Sequence, residues 1–280
     1  MIDETALEKA YNRGLYLEKC GDLEGAAAAY REALAIDPDD HGGAAVRLAA
    51  IGYGMVPRMA PKAYVATLFD QHADVFDMIL VDQLGYDVPL QLREQLVQYT
   101  GGERVFSRLL DLGCGTGLSG DALDDLARKK TGVDISKNMI EIACEKGDYD
   151  RLFVGDILQF LEQTKDESWD IIVATDVLPY IGELESLFVF VARHLVPDGI
   201  FGFSSEMLDD AAFNGRKFMV GPHQRFAHQP AYIRSCLSKA GLEIADCRNI
   251  VVRAEQGTAV PGQLFLARHK KISDFKGFFP

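Results

Sequence analysis

From Ala6 to Ile36 apolar residues return every three or four positions, the spacing of a helix that buries one face, and Gly21-Asp22 interrupts the run once. The pattern predicts a helical hairpin ending at Asp37-Pro38, with a further helix between His41 and Tyr53. Gly52, Gly54, Pro57 and Pro61 then crowd into one stretch, the composition of a linker, and a boundary is expected there. Between Tyr64 and Leu84 one or two amphipathic helices are expected, with Phe69, Ala73, Phe76 and Leu80 sharing a face. Gly85 and Pro89 punctuate the chain before another helix that runs to Tyr99.

Beyond Arg104 the period alternates. Strands are predicted at Val105–Leu112, Thr131–Ile135, Leu152–Asp156, Trp169–Thr175 and Gly199–Ser204. Helices fall between them at Leu118–Ala127, Ser136–Lys146, Ile157–Thr164 and Leu184–Leu195. Strands followed by helices in this rhythm make crossovers of a parallel sheet covered on both faces. After an irregular stretch come a helix, Pro230–Ala240, and two closing strands, Leu242–Arg253 and Gln263–His269, a hairpin-like pair at the sheet edge compatible with one antiparallel strand in a mostly parallel sheet. The expected fold is α/β: a doubly wound, mostly parallel, seven-stranded sheet with an N-terminal helical hairpin. The expected units are residues 1–53, residues 62–100 and residues 101–280.

Hydrophobic residues make up 48% of the chain and charged residues 25%, which is ordinary for a folded protein. The 42 acidic residues outweigh 29 basic ones for a net charge of −13, and no basic stripe interrupts the excess. That disfavours a groove following a phosphate backbone, so no nucleic-acid partner is expected. The start carries Asp3, Glu4 and Glu8 rather than a basic, then apolar, leader, and no apolar run has the length of a membrane span. A soluble, cytoplasmic protein with no membrane partner is expected. Five cysteines, scattered and without a C-x-x-C pair, point to free thiols and to no metal site.

The sharpest chemical signal is Asp111-Leu112-Gly113-Cys114-Gly115-Thr116-Gly117, at the end of a predicted strand and the start of a helix. Alternating glycines let the backbone turn tightly and let a ligand approach main-chain atoms. Asp134 ends the next strand, where a carboxylate accepts hydrogen bonds from ribose hydroxyls. A nucleoside ligand follows. The dinucleotide fingerprint needs a third glycine where Leu118 stands, and Asp111 at the loop mouth would repel phosphate but attract an ammonium or sulfonium ion.

This run resembles the first motif of class I S-adenosylmethionine-dependent methyltransferases, and the later motifs follow in order. Asp134 matches their ribose carboxylate, Gly155-Asp156-Ile157 their adenine turn, and Asp170 to Pro179 their fourth strand and active-site loop. The resemblance covers roughly Tyr64 to His269. It implies S-adenosylmethionine as cofactor, with S-adenosylhomocysteine as product, held by Asp111, Gly113, Gly115, Gly117, Asp134, Ile135, Met139, Asp156, Ile157 and Thr175. Gly14, Gly21-Asp22, Ala26, Tyr30, Ala33 and Pro38 resemble one tetratricopeptide repeat, and the chain looks like predicted methyltransferases that carry such a repeat. A single repeat cannot bury its own face, so the hairpin must pack on the next helix, on the main domain, on a protein partner or on a second copy. The segment Tyr64 to Asp77 is similar to one that lies over the cofactor in small-molecule methyltransferases. That similarity implies that residues 62–100 form a cap in which Tyr64, Phe69 and His72 cover the methionyl end.

Acceptor residues are expected in the loops after the fourth and fifth strands, because ligands of open parallel sheets bind outside the strands' carboxyl ends. Tyr180 lies in the first, which departs from the Asn-Pro-Pro-Tyr pattern of enzymes acting on amide or adenine nitrogen. The second, Glu206 to Gln229, is long enough to be a lid or binding loop and holds Arg216, Lys217, His223, Arg225 and His228. Within it Arg225 is expected to fork onto an anionic acceptor and His228 to remove a proton. Arg253 and Glu255 are weaker candidates for the same cavity. The expected catalytic set is thus His228, Arg225 and Tyr180, acting on a small molecule. A protein that binds S-adenosylmethionine and recruits a partner through its repeat, without methyl transfer, is the competing reading.

Overall fold

The computed structural model describes residues 2–102, 104–255 and 257–270, so the end of the expected 101–280 unit lies outside the described residues. Strands β1 (Phe106–Leu112), β2 (Ala127–Asp134), β3 (Arg151–Val154), β4 (Trp169–Ala174) and β5 (Leu195–Glu206) are mutually parallel, with order β3-β2-β1-β4-β5. A small hairpin intervenes, made of β6 (Phe218–Val220) and β7 (Phe226–His228). The last two strands, β8 (Leu242–Glu255) and β9 (Thr258–His269), complete the sheet, β9 lying antiparallel between β5 and β8. The seven-stranded, mostly parallel sheet is as expected.

Strand alternation splits the core in two. Leu110, Leu112, Ile172, Ala174, Phe201, Phe203 and Phe265 join the core on one face, while Leu109, Ile171, Val173, Ile200, Leu264 and Leu266 join that on the other. Both faces being covered, the central strands read as continuous apolar runs. Carboxylate and hydroxyl caps begin the helices where the sequence puts them: Asp3 for α1 (Glu4–Lys19), Asp22 for α2 (Leu23–Ile36), Ser136 for α7 (Lys137–Lys146) and Asp156 for α8 (Ile157–Gln163).

The remaining helices are α3 (Ala44–Ala50), α4 (Lys62–His72), α5 (Val88–Thr100), α6 (Leu118–Ala122), α9 (Glu185–His194), α10 (Asp210–Phe213) and α11 (Pro230–Lys239). The hairpin α1–α2 finds its neighbour in α3, whose Ala44 and Leu48 join Ala10, Ala26, Ala27, Tyr30 and Ala33 in one small core. From its other face α3 sends Val46 and Ala49 against Val220 and Phe226 of β6–β7.

Three expectations change. The helix expected over Leu118–Ala127 ends at Ala122, and β2 starts at Ala127, four residues earlier than its apolar part suggests, because Ala127 and the exposed Lys129 begin the pairing with β1. The stretch expected to be a linker is docked: Met59 bridges Ile181, the Ala60 amide donates to the Tyr180 carbonyl at 2.9 Å, and the Arg58 carbonyl accepts from Gly182 and Glu183. The loop expected over Glu206–Gln229 instead contains α10 and the β6–β7 hairpin, so Phe226 to His228 form a strand.

Candidate active site

At the carboxyl ends of β1, β2, β3 and β4 lies a cleft lined by the turns that follow these strands and by residues between Met59 and Pro89. Three turns build its floor. The first follows β1, where Gly113 (φ 71°), Gly115 (φ 53°) and Gly117 (φ 99°) all take left-handed backbone. A Cβ on Gly113 would strike Val177 at 2.6 Å, whereas one on Gly115 would meet no atom within 4 Å, so Gly115 leaves its main chain open to a ligand. The second follows β2. Asp134 accepts from the Gly115 amide at 2.9 Å and from the Ser136 amide at 2.8 Å, tying the glycine turn to the turn after β2. Burial raises its pKa, opposed by those two amides. The third follows β3, where Asp156 caps α8 through the Gln159 amide at 3.0 Å and also lines the cleft beside Ile157.

Residues of the segment 62–100 line the cleft as well. Val65, Phe69, Phe76, Leu80, Tyr86 and Pro89 line the cleft opposite the three turns, and Phe69 packs edge-on against both Phe76 and Tyr180. Each of the three turns is clasped by a polar group of the cap. Lys62 pairs with Asp156 at 3.1 Å. Asp70 accepts from the Ser136 hydroxyl at 2.6 Å and the Asn138 amide at 3.1 Å. Asp77 accepts from the Thr116 hydroxyl and pairs with Lys146. A π-helical turn at Met78–Gln83 follows, a geometry that often marks functional sites. Sequence reading singled out the aromatic members of Phe69-Asp70 and Phe76-Asp77 and missed the aspartates. The signal was the repeated Phe-Asp pair.

Of the other expected cofactor residues, Ile135 and Thr175 line the cleft, Thr175 sharing a hydrogen bond with Ser119 at 2.9 Å. Gly117 caps α6, and Met139 is fully buried in α7, both behind the surface. Three residues depart from their expected places. Asp111 is fully buried, taking the Tyr149 hydroxyl at 2.6 Å, and does not stand at the loop mouth; burial pushes its carboxyl up to about 7. Its partner Tyr149, which also accepts from the Gly120 amide, carries no motif that sequence reading could have found. Tyr64 lies against Gly43 of the helical preface, and exposed His72 bonds the Leu68 carbonyl, so neither lines the cleft.

The acceptor side shows the largest corrections. Tyr180 lines the cleft, its phenol held neutral because burial raises its pKa. His228 does not line it. Its Nε2 donates to the Ile181 carbonyl at 2.8 Å, Nδ1 has no partner, and burial lowers its pKa to about 4, so it is a neutral ring inside the wall. Arg225 lies behind Asp176, bonded to it at 3.0 Å, with Glu206 at 3.5 Å and the Tyr180 ring under its guanidinium at 5.5 Å. It lines a second, smaller cavity with Glu206, His223 and Glu255. Arg253 is fully buried between Glu206 (2.7 Å) and Glu255. Among the described residues no three His, Cys, Asp or Glu side chains cluster as metal ligands, and no helix is long and apolar enough to cross a membrane.

A parallel sheet of this order, with a nucleoside cleft over its first strands, defines the class I methyltransferase fold, whose cofactor is S-adenosylmethionine. Residues 110–203 match the family described as methyltransferase domain and residues 8–40 the family described as tetratricopeptide repeat. It is 27% identical to the ubiquinone biosynthesis O-methyltransferase of Pasteurella multocida over 35% of this chain and 46% of that protein. It is 27% identical to the enzyme of the same description from Maricaulis maris over 55% of this chain and 67% of that protein. The chain thus spans about half the length of the first relative. Among solved structures, N-methyltransferase NodS from Bradyrhizobium japonicum, in complex with S-adenosylhomocysteine, superposes with a TM-score of 0.56 at 18% identity, over 74% of this chain and 99% of that one, a likeness of fold.

Proposed function

We propose that the protein is an S-adenosylmethionine-dependent methyltransferase acting on a small molecule. The observation that carries this reading is the convergence of three cofactor turns, with Gly115, Asp134 and Asp156, on one cleft closed from above by an apolar cap. The residues fit the cofactor. The open face of Gly115 admits a ligand against the main chain, and each oxygen of Asp134 retains a lone pair for a ribose hydroxyl after taking one amide. The bound cofactor supplies a methyl group on a sulfonium, already activated for in-line displacement.

The chain's own work is then positioning. The glycine turn and Asp134 fix the cofactor's angle, and Phe69, Phe76 and Leu80 exclude water from above. The neutral Tyr180 offers a phenol to orient the acceptor. Such alignment accounts for about 7 to 11 kcal/mol of a barrier. The expected anionic acceptor depended on a free Arg225, and with that guanidinium committed to Asp176 and Glu206 the support for it is gone. The helical hairpin meets its packing need on α3 of the same chain, so a role in recruiting a partner rests on its outer surface alone. Both curated relatives are described as ubiquinone biosynthesis O-methyltransferases, which supports a small-molecule acceptor.

Calorimetry with S-adenosylmethionine, S-adenosylhomocysteine and NAD tests the cofactor half; the first two should bind and NAD should be at least tenfold weaker. Single-turnover release of labelled methyl over a mixed acceptor pool tests the transfer half. Tight cofactor binding with no transfer to hydroxyl, amine or carboxylate acceptors would favour the competing, non-catalytic reading.

A further inference from the structure

The acceptor side of the cleft pairs apolar and aromatic walls with one carboxylate. Met59, Phe69, Val177, Tyr180 and Ile181 supply the walls. The charged residues lining the cleft are Lys62, Asp134, Asp156 and Asp176, and the one cation among these described residues, Lys62, is held by Asp156 at the adenine end. The acceptor end is therefore bounded by Asp176, whose carboxylate is held from behind the wall by Arg225 and Arg253.

Asp176 occupies a boundary. It lines the cleft, while Arg225 and Glu206, its neighbours, line the second cavity instead. Its backbone is left-handed (φ 57°), a conformation an aspartate adopts at a cost, and its amide is tied to the Ser204 hydroxyl at 2.8 Å. The side chain thus turns back into the wall, where Oδ2 takes Arg225 at 3.0 Å and Oδ1, without a hydrogen-bond partner, sits 3.7 Å from Arg253. Three carboxylates (Asp176, Glu206, Glu255) surround these two guanidiniums, and His223 at 2.8 Å from Glu255 is the remaining basic group. The positive charge behind the wall is fully matched before a ligand arrives.

We propose that Asp176 is the specificity residue of the acceptor site: it screens Arg225 from the cleft, so that the site takes a ring-bearing acceptor that is uncharged or cationic and rejects the carboxylated form of the same scaffold. The aromatic lining at Phe69, Phe76 and Tyr180 selects the ring, and like-charge repulsion at Asp176 rejects the anion. The assignment rests on the methyltransferase reading for the location of the acceptor, but its test needs no methyl transfer.

The experiment measures equilibrium binding of three probes to the protein saturated with S-adenosylhomocysteine: 1,2-dihydroxybenzene, its 4-carboxylate and its 4-(2-aminoethyl) derivative. Wild type should bind the uncharged and amino probes at least tenfold more tightly than the carboxylate. In Asp176→Asn, where Arg225 keeps only Glu206, that ratio should fall to near one or invert; in Arg225→Met the wild-type preference should persist. Retained S-adenosylhomocysteine affinity and near-ultraviolet dichroism show that a variant is folded. A wild-type preference for the carboxylate, an unchanged ratio in Asp176→Asn, loss of carboxylate binding alone in Arg225→Met, or no binding of any probe would each overturn the assignment. Probe selectivity as stated with no turnover on any acceptor would instead count against the transfer reaction and leave the assignment of Asp176 standing.

Discussion

Asp111→Asn separates two accounts of the glycine turn. In the fold, Asp111 is sealed beneath the turn, one oxygen taking the Tyr149 hydroxyl and the other without a partner, with burial raising its pKa to about 7. The unfolded chain titrates near 4. Between those values the folded protein holds a proton that the unfolded chain has released, so stability falls as pH rises, by about 1.4 kcal/mol per pH unit. This contribution is fully present below about pH 4 and gone above about pH 7, an interval worth about 4 kcal/mol for a group with no solvent to screen it. Asparagine preserves the shape and still accepts from Tyr149 but does not titrate. Its buried amide costs on the order of 1 to 3 kcal/mol if no acceptor forms, a penalty independent of pH. Urea melts of both proteins from pH 4.5 to 8 give the difference curve, in which the variant should gain on wild type by several kcal/mol as pH rises. Because the carboxylate does not line the cleft, S-adenosylhomocysteine affinity should change by less than tenfold. A flat difference curve, or folded Asp111→Asn that loses cofactor binding by more than tenfold, would refute the placement and restore Asp111 as the attractor of the sulfonium.

Asp134→Ala removes the carboxylate proposed to hold the ribose and the two amide contacts it makes to the turns, so calorimetry should show cofactor binding weaker by roughly 1 to 3 kcal/mol; an unchanged Kd removes Asp134 from the site. Asp77→Ala releases Thr116 and Lys146 and so frees one clasp of the cap; stopped-flow displacement should show S-adenosylhomocysteine leaving about fivefold to tenfold faster, on the order of 1 kcal/mol after discounting for the half-exposed ion pair. Deleting residues 1–40 should leave a folded domain that binds cofactor, since α3 remains anchored on β6–β7 through Val46 and Ala49, with a lower melting temperature because Ala44 and Leu48 lose their cover. Aggregation of that deletion would show that the hairpin completes the main core.

The three turns of the candidate cofactor site could be placed from the sequence because each of them is local. Gly113 to Gly117, Asp134 and Asp156 each sit where a strand hands over to the next helix, and strand ends in a parallel sheet are brought side by side by the fold itself. Asp111 shows the limit of that reading. Its strand was placed correctly, but which way its side chain points depends on Tyr149, a residue whose only signal is its burial against Gly120 and Gly132. Arg225 and His228 were assigned by loop length, yet two strands of three residues each, too short for their alternation to register, turn Phe226 to His228 into sheet and take His228 inside the wall.

Acceptor recognition was illegible for a different reason: its wall is assembled from segments far apart in sequence. The Tyr180 ring is set by Phe69 of the cap on one side and by Arg225 on another, while its carbonyl is held by the Ala60 amide and its loop by the Arg58 carbonyl. The same ring packs in the small core that joins α3 to β6–β7. Four stretches, the linker, the cap, the fourth strand's loop and the hairpin, must therefore all be in place before the acceptor side has a shape, whereas the glycine turn and Asp134 take their backbone contacts from each other and from Ser136, with only Asp70 and Asp77 reaching them from the cap. It follows that changes in the helical preface reach the acceptor wall before they reach the cofactor, because α3 touches β6–β7 and Tyr64 rests on Gly43, while Asp134 draws its contacts from Gly115 and Ser136. A substitution such as Gly43→Ala, whose Cβ would fall 2.6 Å from the Tyr64 ring in a left-handed stretch of backbone, should accordingly alter acceptor affinity while leaving the cofactor Kd close to wild type. Equal losses of both affinities in a folded variant would show that the two halves of the cleft are coupled more tightly than their contacts imply.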